Sequence, residues 1–138
     1  MQNTTPIFEF TNRIDSCLIA TQSNRDGVPD NLTAMMTSGT NGTRVQRVNI
    51  TSNAIVGSTV ASKMFRLYIK NGSTYILLRE MSYFNTVGIN TTTVVGYTAY
   101  LQLEGGLVLP PNTVLYGGIS NWASSVDTMS IVIESRDF

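Results

Sequence analysis

The stretch that decides the fold of this chain is Lys63-Met-Phe-Arg-Leu-Tyr-Ile-Lys-Asn-Gly-Ser-Thr-Tyr-Ile-Leu-Leu-Arg-Glu80. Two runs rich in β-branched and aromatic residues flank the dipeptide Asn71-Gly72. Asn-Gly is the strongest short hairpin signal, because a type I′ turn needs positive φ at both of its central residues. The stretch therefore predicts a β-hairpin with Asn71 and Gly72 at its tip.

Pairing outward from that tip gives a register in which Tyr68 faces Tyr75 and Lys63 faces Glu80. Because side chains alternate between the two faces of a strand, the register can be tested against the apolar pattern. One face collects Phe65, Leu67, Ile69, Ile76 and Leu78. The other face collects Met64, Arg66, Tyr68, Tyr75, Leu77 and Arg79. A slip of one residue would destroy this separation, so the pattern predicts a core-facing side and an outer side.

The composition indicates an all-β domain. Charged residues make up 13% of the 138 positions, against roughly 25% in an average domain. The polarity comes from 18 Thr, 13 Ser and 12 Asn residues. Thr favours strands, and Ser and Asn favour turns. A chain of this length forms one domain with a single core.

The charge balance indicates which partners to expect, and the pattern of apolar segments indicates the location of the protein. Nine basic and nine acidic residues leave no net charge, so no general field attracts nucleic acid or an anionic membrane. The N-terminus lacks the pattern of a signal peptide, and no apolar run approaches the roughly 18 residues of a membrane span. We expect a protein made in the cytoplasm and not secreted. Its six Asn-x-Ser/Thr sequences are therefore not interpreted as glycosylated.

Turn residues separate further strands along the chain. Strands are predicted over 14–21, 32–36, 44–51, 97–104, 113–120 and 124–134. In 97–104, Ala99, Leu101 and Leu103 alternate with Thr98, Tyr100 and Gln102, and Gly105-Gly106 breaks the pattern. In 124–134, Met129, Ile131 and Ile133 share one face. No stretch shows an apolar stripe at helical spacing.

These elements predict a single-domain antiparallel β-sandwich or jelly roll of about seven to nine strands. The sandwich occupies residues 14–138, and residues 1–13 form an N-terminal arm or an edge strand. In 44–51, Gln46, Val48 and Ile50 are predicted on one face, opposite Val45, Arg47 and Asn49. Cys17 lies in an apolar run and is interpreted as a buried strand residue.

Catalytic chemistry finds little support in the residue types. Histidine is absent, which removes the usual base of nucleophilic triads and the commonest zinc ligand. A carboxylate pair for glycoside hydrolysis would need two acids about 5–10 Å apart, and nothing in the pattern selects such a pair. We therefore predict no enzyme activity, no catalytic residue, no metal site and no cofactor.

Binding is predicted on the outer side of the hairpin. Its members are Met64, Arg66, Tyr68, Tyr75, Leu77 and Arg79. Aromatic residues and arginine anchor protein interfaces, and they also stack on sugar rings or single-stranded bases. Three interpretations stay open: a face covered by the protein's own loops, a subunit contact, or a sugar or nucleic-acid platform. For Trp122 two interpretations also stay open, a core residue and a contact residue.

Three segments carry a resemblance to a known class of protein. They are Gly39-Thr-Asn-Gly-Thr-Arg-Val-Gln-Arg-Val-Asn-Ile50, the hairpin from Phe65 to Glu80, and Gly106-Leu-Val-Leu-Pro-Pro-Asn-Thr-Val-Leu-Tyr116. In this order they resemble the small β-sandwich domains of virion structural proteins from tailed bacteriophages. The piece Leu109-Pro-Pro-Asn-Thr-Val-Leu115 also resembles a late strand of trimeric jelly rolls of the tumour-necrosis-factor and C1q type.

The resemblance implies a non-enzymatic particle component, often trimeric, and supplies no catalytic residues. The leading hypothesis is a capsid decoration or cement protein of the virion, which binds other copies of itself and the major capsid protein or other virion proteins. Ile7, Phe8 and Phe10 of the N-terminal arm are its predicted contact residues. The alternative is a receptor- or carbohydrate-binding module of a tail or head fibre. Nucleic acid and membrane are not expected as partners.

Overall fold

The computed structural model describes residues 10–20, 31–54, 63–83, 95–120 and 128–138. These residues form eight β-strands and no helix. The strands are β1 (Thr11–Ile19), β2 (Thr33–Thr37), β3 (Thr43–Ala54), β4 (Lys63–Asn71), β5 (Thr74–Tyr83), β6 (Val95–Leu109), β7 (Val114–Ser120) and β8 (Thr128–Asp137). Sheet A has the order β1-β8-β3-β6, and sheet B has the order β2-β7-β4-β5. The predicted all-β sandwich is confirmed.

The strands pair in a nested order. β1 pairs with β8, β2 with β7, β3 with β6 and β4 with β5, all antiparallel. The chain is thus one long double strand closed by the β4–β5 hairpin, and successive pairs belong alternately to sheet A and sheet B. Eight antiparallel strands wound in this way into two sheets form a jelly roll. The hairpin is the innermost pair of that winding.

The core lies between the two sheets. Sheet A contributes Ile19, Val45, Val48, Ile50, Leu103, Leu109, Met129, Ile131 and Ile133. Sheet B contributes Met35, Met36, Phe65, Leu67, Leu115 and Ile119. The predicted apolar face of the last strand, with Ile131 at its centre, is fully buried. Cys17 packs at the margin of this core and is half-buried.

The predicted register of the hairpin is wrong by two positions. Asn71 pairs with Thr74, so Gly72 and Ser73 form the loop, and Tyr68 pairs with Leu77 rather than Tyr75. Gly72 has a φ of +60°, and neither Asn71 nor Ser73 has a positive φ. A type II′ turn needs positive φ only at its first central residue, where glycine has no Cβ to clash. Two positions are one full side-chain period, which is why the apolar faces survive the shift.

A β-bulge at Leu78 then moves the pairing by one more residue. Beyond it, Arg79 pairs with Leu67, and Glu80 pairs with Arg66 instead of the predicted Lys63. Leu78 still packs against the core. Ile76 lies on edge strand β5 and is exposed to 42%. The bulge therefore decides which charged side chains of the hairpin can meet.

Two further irregularities correct the sequence interpretation in sheet A. A bulge at Gln46 buries Val45 together with Val48 and Ile50, although Val45 was predicted on the opposite face. β6 also continues through the predicted break at Gly105-Gly106 to Leu109. The irregularity in the β3–β6 pairing spans residues 103–106 of β6, and both glycines there have positive φ.

Truncation of Ile131 to alanine should destabilise the domain by about 2–5 kcal/mol, because the side chain is fully buried at the centre of the core. Urea unfolding followed by tryptophan fluorescence measures this change. Ile14→Ala in the same sheet is the matched control and should cost less than about 0.5 kcal/mol, because Ile14 is 75% exposed. Equal losses at the two positions would contradict the described core.

Substitution of Gly106 by alanine should cost about 1–2 kcal/mol from positive φ, plus a further loss from displacement of Arg44. A Cβ at position 106 would lie 2.6 Å from Cγ and 2.9 Å from Cδ of Arg44. Gly105→Ala is the control, since its φ is also positive but no atom lies within 4 Å of its Cβ position. Arg44→Ala should remove the difference between the two glycine variants in urea unfolding. A difference that persists would exclude the Arg44 contact as its cause.

Candidate interaction surface

The outer side of the hairpin, predicted as the binding site, is closed at its centre. Arg66 is 5% exposed and Tyr68 is 7% exposed. The Arg66 guanidinium forms an ion pair with Glu80 through Nε and donates from Nη1 to Ser120 Oγ at 2.9 Å. Burial raises the pKa of the Tyr68 hydroxyl. In this structure the arginine holds β4 to its two neighbouring strands.

The remaining members of the predicted set are spread along β4 and β5. Tyr75 lies opposite Lys70, and its ring packs edge-on against Tyr116 with centroids 5.2 Å apart. Met64 is half-buried, whereas Leu77 and Arg79 are exposed. The expected pair of tyrosines between two arginines is not formed. The binding role of these residues stays a prediction.

The predicted N-terminal contact is described only in part. Two of its residues, Ile7 and Phe8, lie outside the described residues. Trp122, a predicted contact residue elsewhere in the chain, also lies outside them. Phe10 is 52% exposed, and its ring packs edge-on against Phe138 at a centroid distance of 5.8 Å. β1 begins at Thr11, so residues 11–13 belong to the edge strand of sheet A.

The outer face of sheet A carries the four most exposed large apolar side chains of the described residues. Ile14 and Leu18 on β1 are 75% and 54% exposed, and Tyr100 and Val108 on β6 are 61% and 53% exposed. All four alternate with core-directed residues of the same strands, so strand periodicity turns them outward. β1 and β6 are the two edges of sheet A. The face therefore has an apolar margin on each side.

A polar strip crosses the middle of this face. Arg47 Nη2 donates to both carboxylate oxygens of Glu134 at 2.8 Å, and Asn49 Nδ2 donates to Glu134 Oε1 at 3.0 Å. The hydrogen bonds from Arg47, and then from Asn49, lower the pKa of the Glu134 carboxyl. Both members of the ion pair remain about 40% exposed, at 41% and 36%. Exposed ion pairs of this kind contribute little to stability. Because both side chains are partly exposed, the strip is accessible polar surface.

A second polar cluster closes one end of the sandwich. Arg13 lies 2.7 Å from Asp15 and 3.7 Å from Asp137, and it donates to the Thr37 carbonyl oxygen at 2.8 Å. Thr43 hydrogen-bonds Asp137 and accepts from the Gly39 amide at 2.9 Å. The hydrogen bond to Asp15 raises the pKa of Arg13. These contacts hold the turn between β2 and β3 against β1 and β8, which is a structural role.

The described residues contain no group of three or more His, Cys, Asp or Glu side chains that could hold a metal ion. Burial raises the pKa of the Cys17 thiol, which disfavours the reactive thiolate. In the described part of the chain, no helix is long and apolar enough to cross a membrane.

Sequence reasoning missed the outer face of sheet A as a candidate site. Ile14 and Leu18 fall in the strand predicted over 14–21, in which Cys17 is predicted to be buried and no exposed face is predicted. One signal was present at Tyr100, which the alternation of 97–104 places on the polar side with Gln102. A large aromatic residue on a polar strand face is typical of a contact surface.

No protein-family model matches the sequence, and no curated protein matches it.

Glu134→Gln should remove a pH-dependent contribution to the free energy of unfolding. The folded pKa of Glu134 lies below its unfolded value, so its contribution is present above the unfolded pKa and is lost as the pH falls through the folded pKa. NMR titration of the Glu134 carboxyl carbon in the folded protein should therefore give a midpoint below that of the same carbon in the urea-unfolded protein. Arg47→Gln should move this midpoint up, whereas Arg79→Gln on β5 should leave it unchanged. An unshifted midpoint in Arg47→Gln would contradict the assigned cause.

Proposed function

We propose that this chain is a non-enzymatic structural protein of a bacteriophage virion, and that it binds the capsid as a decoration protein. The observation that carries the proposal is the outer face of sheet A, where large apolar side chains are exposed on the two edge strands. Its most exposed apolar residue is Ile14, at 75%. A face of this kind offers contact area without the need to order a flexible segment first.

Burial of these side chains against a partner would stabilise an assembly. Complete burial of one large aliphatic side chain contributes about 1.5–3 kcal/mol, and several lie on this face. A ligand that binds the native state stabilises it by mass action, and the same holds for a decoration protein on an assembled shell. Contacts between copies of this chain, with a trimer as the expected form, would act in the same direction.

Support for the virion assignment comes from two sources. The segments at 39–50, 65–80 and 106–116 resemble those of phage structural proteins. The nested eight-strand winding is also an architecture used by viral capsid domains, although lectin domains and cupins share it. The virion location, the trimer and the capsid partner belong to the proposal.

A carbohydrate-binding module of a tail or head fibre is the second candidate. It is favoured by Tyr100, which lies opposite Asn49 in the β3–β6 register and two residues before the exposed Gln102. Sugar sites combine an aromatic face with amide groups that bind hydroxyls. In this protein such a platform would lie on the same outer face of sheet A.

The decisive experiment is copy-number mass spectrometry of purified phage particles, with heat tolerance of the capsid as a second readout. A decoration protein should be present at hundreds of copies, and particles that lack it should lose DNA at a lower temperature. A fibre-tip module should be present at a few dozen copies or fewer and should bind host cells or glycans by itself. Absence from particles would contradict both candidates.

Ile14→Asp should weaken reassociation of the purified protein with stripped particles by at least about tenfold, because a carboxylate replaces an apolar contact. Leu77→Asp on sheet B is the matched control, since Leu77 is also an exposed aliphatic residue in a strand. It should bind like the wild type, and circular dichroism should show that both variants are folded. Loss of binding in Leu77→Asp alone would move the contact to sheet B.

A further inference from the structure

One end of the outer face of sheet A concentrates arginines. Arg44 on β3 and Arg136 on β8 are direct partners in the register, and both are exposed. Arg47 lies in the next row of the same face. We call Arg44, Arg136 and Arg47 the arginine end. Like charges directly opposite in a sheet destabilise it, so this arrangement costs stability in the free protein.

Acidic residues of this end do not balance it. Glu134 is already held by Arg47 and Asn49. Glu104 is exposed in the irregular part of β6 and forms no ion pair with the described residues. Arg44 and Arg136 likewise form no ion pair within the described part of the chain. Two guanidinium groups are therefore available on a chain whose total charge is zero.

Arg44 is held in place by its surroundings. Its side chain runs so close to Gly106 that a Cβ there would lie 2.6 Å from Arg44 Cγ. Its guanidinium carbon lies 5.9 Å from the centroid of the Phe138 ring, a cation–π distance. A preorganised guanidinium loses less entropy on binding than a free one, and its planar fork fits a carboxylate.

Apolar side chains border the arginine end. Val108 is the register partner of Arg44, and Ile14 is the register partner of Glu134. Both are more than half exposed. Arginine next to exposed aliphatic surface is typical of a protein interface, whereas nucleic-acid sites need basic charge along a longer track.

We infer that the arginine end is a docking site for a protein surface that presents carboxylates beside apolar side chains. The inference rests on the proposed function in that it names the chemistry of the surface this chain binds. The partner's carboxylates would pair with Arg44 and Arg136 and relieve their repulsion, and its apolar groups would cover Ile14 and Val108. Charge complementarity at this end would set the orientation of the decoration protein on its partner.

The first test uses the isolated protein. Arg136→Gln should raise the midpoint of thermal unfolding by about 2 °C, because it removes one member of the facing pair. Arg79→Gln is the matched control, an exposed strand arginine outside this face, and should leave the midpoint unchanged. A lower midpoint in Arg136→Gln would show that the arginine stabilises the fold and would overturn the inference.

The second test measures binding by fluorescence anisotropy. The probes are a short labelled peptide of alternating leucine and glutamate, its leucine–glutamine counterpart, and single-stranded oligothymidine. The wild type should prefer the glutamate peptide, and Arg136→Gln and Arg44→Gln should each weaken that binding at least about tenfold, whereas Arg79→Gln should not. Equal affinity for the two peptides, no binding, or tighter binding of oligothymidine would overturn the inference.

Sedimentation of the protein alone tests whether a second copy of this chain occupies the face instead. Self-association that Arg136→Gln abolishes would assign the face to a second copy and would overturn an acidic partner. Neither binding measurement uses particles. Peptide binding without particle association would therefore remove the proposed function alone, and particle association without the peptide preference would remove this inference alone.

Discussion

One apolar layer between two antiparallel sheets holds this domain together. Sheet A supplies residues such as Ile50, Ile131 and Ile133, and sheet B supplies Phe65 and Leu67. Because strand side chains alternate, each strand that turns one row toward this layer must turn the other row outward. The outer faces are thus a consequence of the core. Their chemistry is free to differ between the two sheets.

The two outer faces use that freedom differently. In sheet B the outer row closes around the buried guanidinium of Arg66, whose hydrogen bonds and ion pair join β4 to β5 and β7. A buried arginine must be paired, and Arg66, at 5% exposed, is withdrawn from the surface by the same contacts that pair it. In sheet A the ion pair of Arg47 and Glu134 remains accessible, and apolar residues flank it. Among the described residues, the outer face of sheet A therefore carries the more exposed apolar side chains.

Bulges connect the regular pattern to the special features of each face. The bulge at Leu78 brings Glu80 opposite Arg66, and the bulge at Gln46 buries Val45 while leaving Arg44 and Arg47 outside. The irregular segment of β6 provides Gly106, over which Arg44 lies. Bulges of this kind re-aim side chains without loss of the sheet. The arginine pair and the closed hairpin face both depend on them.

The sequence alone determined the β class, the hairpin, and most of the core-facing rows and strand positions, because period-two alternation and turn residues are local properties. It did not determine the hairpin register, since a shift by two residues preserves every face. It also placed the binding surface on the hairpin, where Arg66 and Tyr68 proved buried, and it overlooked Ile14 and Tyr100. Which outer row is covered depends on which strands become neighbours and where bulges fall. Only tertiary structure decides that, because those contacts join residues far apart in the chain.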